Sequence, residues 1–305
     1  MAIDSVKVTV NGTTVTATSN GDGTYTATLA APNVTSYNVN SGHYYPVTVV
    51  ATNLAGTATT INDQTPTLGE SLRLRVLEVT APTISITSPT SGQYFGTASP
   101  SITFTVKDEA SGSGVDISTL KITVDSKTYT NTSSGVTVNT ITNGYSVTCV
   151  PTALTDGSHT VKISVSDNDG NDATSSSIGF TTDTIAPTLN VTSPSESGSY
   201  VSESALTVEG TTSDSTSGTP TITITLNGSD QGSVTVSNGS FSKAVTLRSG
   251  SNTIVVTATD KAGRVTTITR TITLDTSSPV VASVVIDPNP VNIGANYTVT
   301  ISVTG

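Results

Sequence analysis

Gly157-Ser158-His159-Thr160-Val161-Lys162-Ile163-Ser164-Val165-Ser166-Asp167-Asn168-Asp169-Gly170 decides how this chain is read. Val161, Ile163 and Val165 alternate with Lys162, Ser164 and Ser166, the period-two pattern of a strand with one buried face. The Asp-Asn-Asp-Gly that ends it is turn chemistry. Asp and Asn bond their own backbone, and Gly reaches positive φ without strain. The same signature stands at Gly42–Gly56 (GHYYPVTVVATNLAG) and at Gly250–Gly263 (GSNTIVVTATDKAG). Three copies place the last hairpin of three sandwich units.

A second repeat marks where units begin. Ala81–Pro89 (APTISITSP) matches Ala186–Pro194 (APTLNVTSP), and Ser278-Pro279-Val280 opens a weaker copy. Proline suits a first edge strand, where a missing N–H costs no ladder bond. The starts are roughly a hundred residues apart, the size of one β-sandwich. Joining peptides such as Thr182-Asp183-Thr184-Ile185 are too short to be free linkers.

These residues resemble the bacterial Ig-like domains found in tandem in cell-surface proteins and in phage tail proteins. The resemblance runs over nearly the whole chain, through DTIAP at Asp183–Pro187, SGVD at Ser113–Asp116 and ATDKAG at Ala258–Gly263. The closing run Asp287–Gly294 (DPNPVNIG) is similar to the last module of Ig-containing phage tail proteins. The implied fold class is all-β, with tandem Ig-like Greek-key sandwiches in an extended rod. The expected domains are 1–80, 81–184 and 185–276, followed by a partial module of two strands at 277–305. The implied function is that of a structural or decorating protein of a phage tail, baseplate or tail surface. The alternative is a surface adhesion module binding glycans or host proteins. An accessory module of a polysaccharide-degrading enzyme would need a catalytic domain besides.

Composition narrows the partners. Charged residues are 11% of the 305, against about 25% in ordinary soluble domains, so Thr, Ser and Asn must supply the polar surface. The net charge of −10 repels phosphate backbones, which argues against nucleic acid. No stretch nears the length of apolar chain that spans a membrane. The single cysteine, Cys149, continues the alternation of Tyr145 and Val147 and reads as a core residue. Met1-Ala2-Ile3 runs at once into a strand pattern with no signal-peptide features. The expected location is therefore a virion assembled in the bacterial cytoplasm, with the cell surface as alternative.

The repeats are cut out of phase. Val6–Gly12 (VKVTVNG) corresponds to Leu120–Ser126 (LKITVDS) and Thr221–Gly228 (TITITLNG), which in their units follow two earlier strands. The first unit has no room for those two. Residues 279–304 offer what look like the first two strands of a unit. An incomplete sandwich leaves an open edge and a bare apolar face. The expected assembly strands carry Val6, Val8 and Val10 at one end, and Val281, Val284, Ile286, Tyr297, Val299 and Ile301 at the other. The tail of one subunit, or of another virion protein, would complete the head of the next by strand addition. The bland alternative is a shorter first unit and a trimmed fourth.

No catalytic constellation is found, and the expectation is that the chain is not an enzyme. Ser240-Phe241-Ser242-Lys243 spells Ser-x-x-Lys, but in a strand rather than the helix that motif needs. His43 and His159 occupy repeat-equivalent strand starts and read as structural. No cofactor is expected apart from calcium. Asp167, Asp169 and Asp172 resemble the start of a calcium loop, with Asp183 at the domain junction as a fourth ligand. The twelfth position holds Ile178 rather than the bidentate Glu. Among the few aromatics, Tyr44, Tyr45 and Tyr94 are the candidates for sugar binding. Tyr94 is matched by Tyr200 in the next repeat, which points to packing at the sandwich end.

Overall fold

The structure, a computed structural model, describes residues 2–305. It divides into two compact units, residues 1–182 and 183–305. Both are built almost wholly of antiparallel strands in the arrangement of Ig-like Greek-key sandwiches.

The second module shows the complete pattern. Its strands are β8 (Thr83–Ser88), β9 (Gln93–Phe95), β10 (Ile102–Lys107), β11 (Val115–Val124), β12 (Lys127–Tyr129), β13 (Val136–Ile141), β14 (Gly144–Cys149), β15 (Gly157–Asp167) and β16 (Ser176–Thr182). One sheet runs β13-β14-β10-β8, and the other β12-β11-β15-β16-β9, with β9 parallel to β16. Alternate residues of facing strands meet in the middle. Ile102, Phe104 and Val106 from one sheet pack on Leu120, Ile122, Val161 and Ile163 from the other, all nearly fully buried. Cys149 is in this core, and burial pushes its thiol up to about 11, so it is inert packing.

The third module repeats this design. It comprises β17 (Thr188–Ser193), β18 (Ser199–Val201), β19 (Ala205–Ser213), β20 (Thr221–Leu226), β21 (Ser229–Asp230), β22 (Val236–Ser237), β23 (Ser240–Thr246), β24 (Gly250–Thr259) and β25 (Val265–Leu274). The sheets are β17-β19-β23-β22 and β18-β25-β24-β20-β21. Val208, Ile222, Ile224, Ile254, Val256 and Ile272 form its core. Ser240 and Lys243 both lie in β23, so they have no helical face to share. Asn238 and Gly239, at φ 50° and 76°, make the hairpin turn before it.

Among the described residues the first module shows one large sheet and one two-residue strand pair. Its strands are β1 (Ile3–Val10), β2 (Thr13–Thr16), β3 (Thr18–Ser19), β4 (Tyr25–Thr26), β5 (Tyr45–Asn53), β6 (Ala58–Ile61) and β7 (Arg73–Leu74). The order β2-β1-β5-β6 corresponds to β12-β11-β15-β16 of the second module. Nothing among its described residues corresponds to β8 and β10. In their place stand the two-residue pair β3-β4, irregular chain and short 3-10 turns at Ser36–Asn38 and Gly69–Leu72. Val8 pairs with Val15 and with Val49, Val6 with Ala51, and Val10 with Val47, so these side chains share one face. On that face only Val10 is buried; the rest are half-buried.

The last two strands, β26 (Val280–Asp287) and β27 (Thr298–Thr304), pair with each other and, among the described residues, with no other strand. The register sets Val281 opposite Val303, Val284 opposite Ile301 and Ile286 opposite Val299. Strand periodicity therefore puts these six on one face, although a bulge intervenes between Val281 and Ser283. Every residue of both strands is exposed. Among the described residues no helix is long and apolar enough to cross a membrane.

Candidate metal centres and binding surfaces

The acidic run after β15 closes a turn and does not gather ligands. Asp167 is 2% exposed. Its Oδ1 accepts the Asn171 N–H and its Oδ2 the Asn171 side-chain amide, both at 2.8 Å. Asp169 Oδ2 accepts the Thr35 hydroxyl at 2.5 Å and the Glu78 N–H at 3.0 Å. Asp172 Oδ1 accepts the Ser166 hydroxyl at 2.6 Å. The reading of Asp167, Asp169, Asp172 and Asp183 as one calcium site is therefore corrected. The first three bond to different partners, and Asp183 meets other carboxylates.

Those others are Asp214 and Asp260. One oxygen from each of Asp183, Asp214 and Asp260 lies within 4.8 Å of the other two. Asp183 precedes β17, Asp214 follows β19 and Asp260 follows β24, so strand ends bring the three together. Asp183 is fully buried and Asp260 7% exposed. Asp183 Oδ2, Asp260 Oδ2 and the Ser217 hydroxyl are buried without a hydrogen-bond partner. Burial pushes the Asp183 carboxyl above its ordinary range and the nearby Asp214 and Asp260 add to this, while the neighbouring Ser217 side chain and the Ile185 N–H oppose it. Burial acts against Asp214 too, but the N–H groups of Ser217 (2.7 Å) and Thr216 (2.8 Å) hold it below the usual range.

A second cluster occupies the corresponding end of the second module. Glu78, Asp108 and Glu109 bring one oxygen each within 4.8 Å of one another. Glu78 Oε1 accepts the Ser113 N–H, and Asp108 Oδ2 accepts the Gly114 N–H at 2.7 Å. Glu78 Oε2, Asp108 Oδ1 and Glu109 Oε2 are left without partners. Glu109 is pushed up to about 7 by its contact with Glu78, then by burial and by Asp108.

Two of the three positions recur between the clusters, and the sequence held that signal. Glu78 and Asp183 each stand four residues before the unit-opening proline. Asp108 and Asp214 each follow the strand paired with that opening strand. Acidic density in the sequence points to the run after β15, whereas Glu78, Asp108, Glu109, Asp214 and Asp260 are scattered along the chain and carry no such local signal.

The aromatic candidates separate. Tyr45 is 6% exposed and its hydroxyl donates to the Val34 carbonyl, which removes it from any sugar surface. Tyr44 is half-buried: its hydroxyl donates to Asp63 at 2.9 Å, and the Arg73 guanidinium lies 4.9 Å from its ring centre. Tyr94 is half-buried in β9, but Tyr200 is 75% exposed, so the two do not share a packing role. His159 is buried, held by Asp125 at 2.7 Å and by the Thr155 carbonyl at 2.8 Å. His43 stacks on Tyr37 with ring centres 4.2 Å apart.

The proposed assembly strands stand in two environments. Val6 and Val8 are half-buried and Val10 buried within the single sheet of the first module. Val281, Val284, Ile286, Tyr297, Val299 and Ile301 are 44–59% exposed.

Comparison with known proteins follows the module borders. Residues 78–184 match the profile of the bacterial Ig-like domain, and residues 187–276 that of glucodextranase domain B. No curated protein matches the chain. Among solved structures, fibronectin(III)-like modules of Clostridium thermocellum CbhA are similar at 20% identity and a TM-score of 0.41, covering 63% of this chain and 94% of that one. A 1.5-MDa bacterial ice-binding adhesin is similar at 22% identity and a TM-score of 0.32, covering 90% and 88%. A tetra-tandem repeat from the extending region of a large adhesion protein gives 21% and 0.32, covering 99% and 80%. With TM-scores this low they are likenesses only.

Proposed function

We propose that the chain is a non-catalytic run of Ig-like modules that holds and spaces other parts of a surface-displayed protein of the adhesion type. The observation that carries this reading is the polar lock between the first and second modules. Asn38 donates to the Gly112 carbonyl at 2.8 Å, and Thr35 and the Glu78 N–H both donate to Asp169. The Glu78 carboxylate and carbonyl take the Ser113 N–H and the Asn171 amide in turn. Bonds to charged acceptors stabilise by more than neutral ones, about 1.5–3 kcal/mol each. A lock of this kind transmits position from module to module, which a spacer needs and a solitary binding domain does not. Partners on this reading are glycans or proteins at the tips of the larger molecule.

A second reading places the chain in a virion tail, baseplate or tail surface, where subunits complete one another. The bare apolar face of β26 and β27 favours it, because a hairpin of that kind can cover the half-buried face of Val6, Val8, Val47 and Val49 in another copy. Negative-stain microscopy of the purified chain tests both. Separate molecules at all concentrations support the spacer reading; molecules joined end to end support the second. Specific retention on a glycan array by these modules themselves would overturn the spacer role.

A further inference from the structure

His159 and Asn252 occupy one place in two modules. Each is buried and stands two residues ahead of a strand pairing, Val161 with Val124 and Ile254 with Leu226. Asp125 and Asn227 face them from the turns that end β11 and β20, both at φ 52°. Asp125 Oδ1 accepts the Thr160 N–H at 2.9 Å, and Asn227 Oδ1 the Thr253 N–H at 2.8 Å. Four residues upstream, the carbonyls of Thr155 and Arg248 turn back to the buried side chain. In the third module the whole set is neutral. Asn252 Oδ1 accepts the Arg248 N–H at 2.9 Å and the Asn227 amide at 3.0 Å. Its own amide donates to the Arg248 and Gly250 carbonyls at 2.7 and 2.9 Å.

The second module fills the same place with groups that titrate. His159 Nδ1 lies 2.7 Å from Asp125 Oδ2. Burial acts to raise Asp125, but the His159 ring and the Thr160 N–H hold it below the usual carboxylate range, so it is ionised and only accepts. Nε2 lies 2.8 Å from the Thr155 carbonyl and 2.9 Å from Thr182 Oγ1. The Thr182 hydroxyl gives its hydrogen to that same carbonyl at 2.6 Å, so it too meets Nε2 with a lone pair. Both ring nitrogens therefore face acceptors, and a ring with two protons satisfies them all. With one proton, kept on Nδ1 by Asp125, the Nε2 lone pair would stand against the Thr155 oxygen. Two lone pairs repel at that separation, and the chain carrying Thr155 must shift. The Phe180 ring packs beside the imidazole, 5.4 Å between centres, and is apolar. The other charged groups on the segments that touch the ring are Asp156 next to Thr155, Asp183 next to Thr182, and Lys127, which donates to Thr152 in the same loop at 3.1 Å.

We propose that His159, with Asp125, Thr155 and Thr182, is a proton-operated fastener that ties the loop 150–156 to the last strand of the second module. Doubly protonated, the ring holds the turn after β11, the loop and the end of β16 together. Singly protonated, it releases the loop. Its contribution to stability is present in mild acid and is lost as pH rises through the titration of the ring. In stronger acid it is lost again, once Asp125 takes up its proton. The third module, with Asn227 and Asn252, has no such dependence. This inference does not rest on the function proposed above.

The test uses the full chain and follows amide exchange, corrected for intrinsic rates, from about pH 5 to about pH 9. The Leu154 N–H donates to the Ala98 carbonyl at 2.8 Å and reports on the loop, and the Leu247 N–H, on the Ser204 carbonyl at 2.8 Å, is its counterpart in the third module. Protection of Leu154 is expected to fall about tenfold or more across that range while that of Leu247 holds. Leu154 answers to His159 rather than to Glu109, which follows β10 whereas Ala98 precedes it. Ring nitrogen shifts of His159, told from those of His43 by His43→Gln, are expected to show two protons at the acid end and one, on Nδ1, at the alkaline end. Asp125→Asn/His159→Asn imports the pair of the third module and is expected to hold Leu154 at one level of protection throughout. Leu154 protection that stays flat in the wild type, or falls in step with Leu247, overturns the proposal, as does a fall that persists in the double variant. A wild-type ring with a single proton throughout overturns it as well, and that readout stands even if the double variant does not fold.

Discussion

The Glu78 N–H donates to Asp169 Oδ2 at 3.0 Å across 91 residues of sequence. Because Asp169 also takes the Thr35 hydroxyl, one carboxylate holds two strands of chain from the first module against the second. Asp169→Ala removes the one oxygen that accepts both bonds and leaves the donors in a partly buried place, at a cost of about 1–3 kcal/mol. Hydrogen exchange should then quicken at Ser36–Asn38 and around Val76–Glu78, while the cores of the second and third modules keep their protection. Unchanged exchange at those amides would mean that the lock does not depend on this carboxylate.

The Glu78–Asp108–Glu109 cluster gives the second module a pH dependence of determined sign. Glu109 is raised to about 7, against about 4.5 unperturbed, so the folded chain holds a proton there that the unfolded chain gives up. Stability from this group is complete below pH about 4.5 and is lost as pH rises through about 7. With chelator present, the unfolding midpoint of the second module should fall between pH 5 and 8. Glu109→Gln should flatten that slope. A carboxyl resonance of Glu109 titrating near its ordinary value would sink this account.

Gly210 of β19 tests the packing of the third module. A Cβ at this position would strike the Asn190 carbonyl of the neighbouring strand and the ring of Phe241 on the other side. Neither neighbour can yield, since one is backbone within a sheet and the other a core ring. Gly210→Ala should cost about 1–3 kcal/mol by overpacking, read as a lower denaturation midpoint for this module and none for the second.

Particular residues show how much of this was legible in the sequence. Alternation placed Val161, Ile163 and Val165 in a core strand, and Cys149 beside them, because strand period and burial are the same fact in a sandwich. The alignment of VKVTVNG with LKITVDS and TITITLNG was legible as well, since β1, β11 and β20 hold matching places beside β5, β15 and β24. The ligand sets were not. Asp183, Asp214 and Asp260 lie 31 and 46 residues apart and meet only because three strands end on one side of the sandwich. Asp167, Asp169 and Asp172 looked like ligands because they are close in sequence, yet a tight turn sends their side chains to Asn171, to the first module and to Ser166. Tyr200 failed for a similar reason: equivalence to Tyr94 in the repeat did not carry equivalence of surroundings, and the ring is 75% exposed.

The face formed by Val281, Val284, Ile286, Val299, Ile301 and Val303 gives the last expectation. A lone two-stranded hairpin is marginally stable in water, and here neither side is covered. Each Val or Ile gains about 1.5–3 kcal/mol from full burial, so covering the face would release much more than hairpin formation does. Association keeps only what remains after lost rigid-body freedom and side-chain ordering, which six such residues can still supply. The first module offers a matched surface, a single sheet whose Val6, Val8, Val47 and Val49 are half-buried where the other modules bury their equivalents. On the reading in which subunits complete one another, light scattering of the full chain should show mass rising with concentration, and Ile286→Lys/Ile301→Lys should abolish the rise while leaving the unfolding of the second and third modules unchanged. A cysteine pair, one on β1 and one on β27, should cross-link between molecules and not within one. A constant monomer mass at high concentration would leave strand completion between copies without support and return the hairpin to the spacer reading, as a strand pair that a neighbouring module covers.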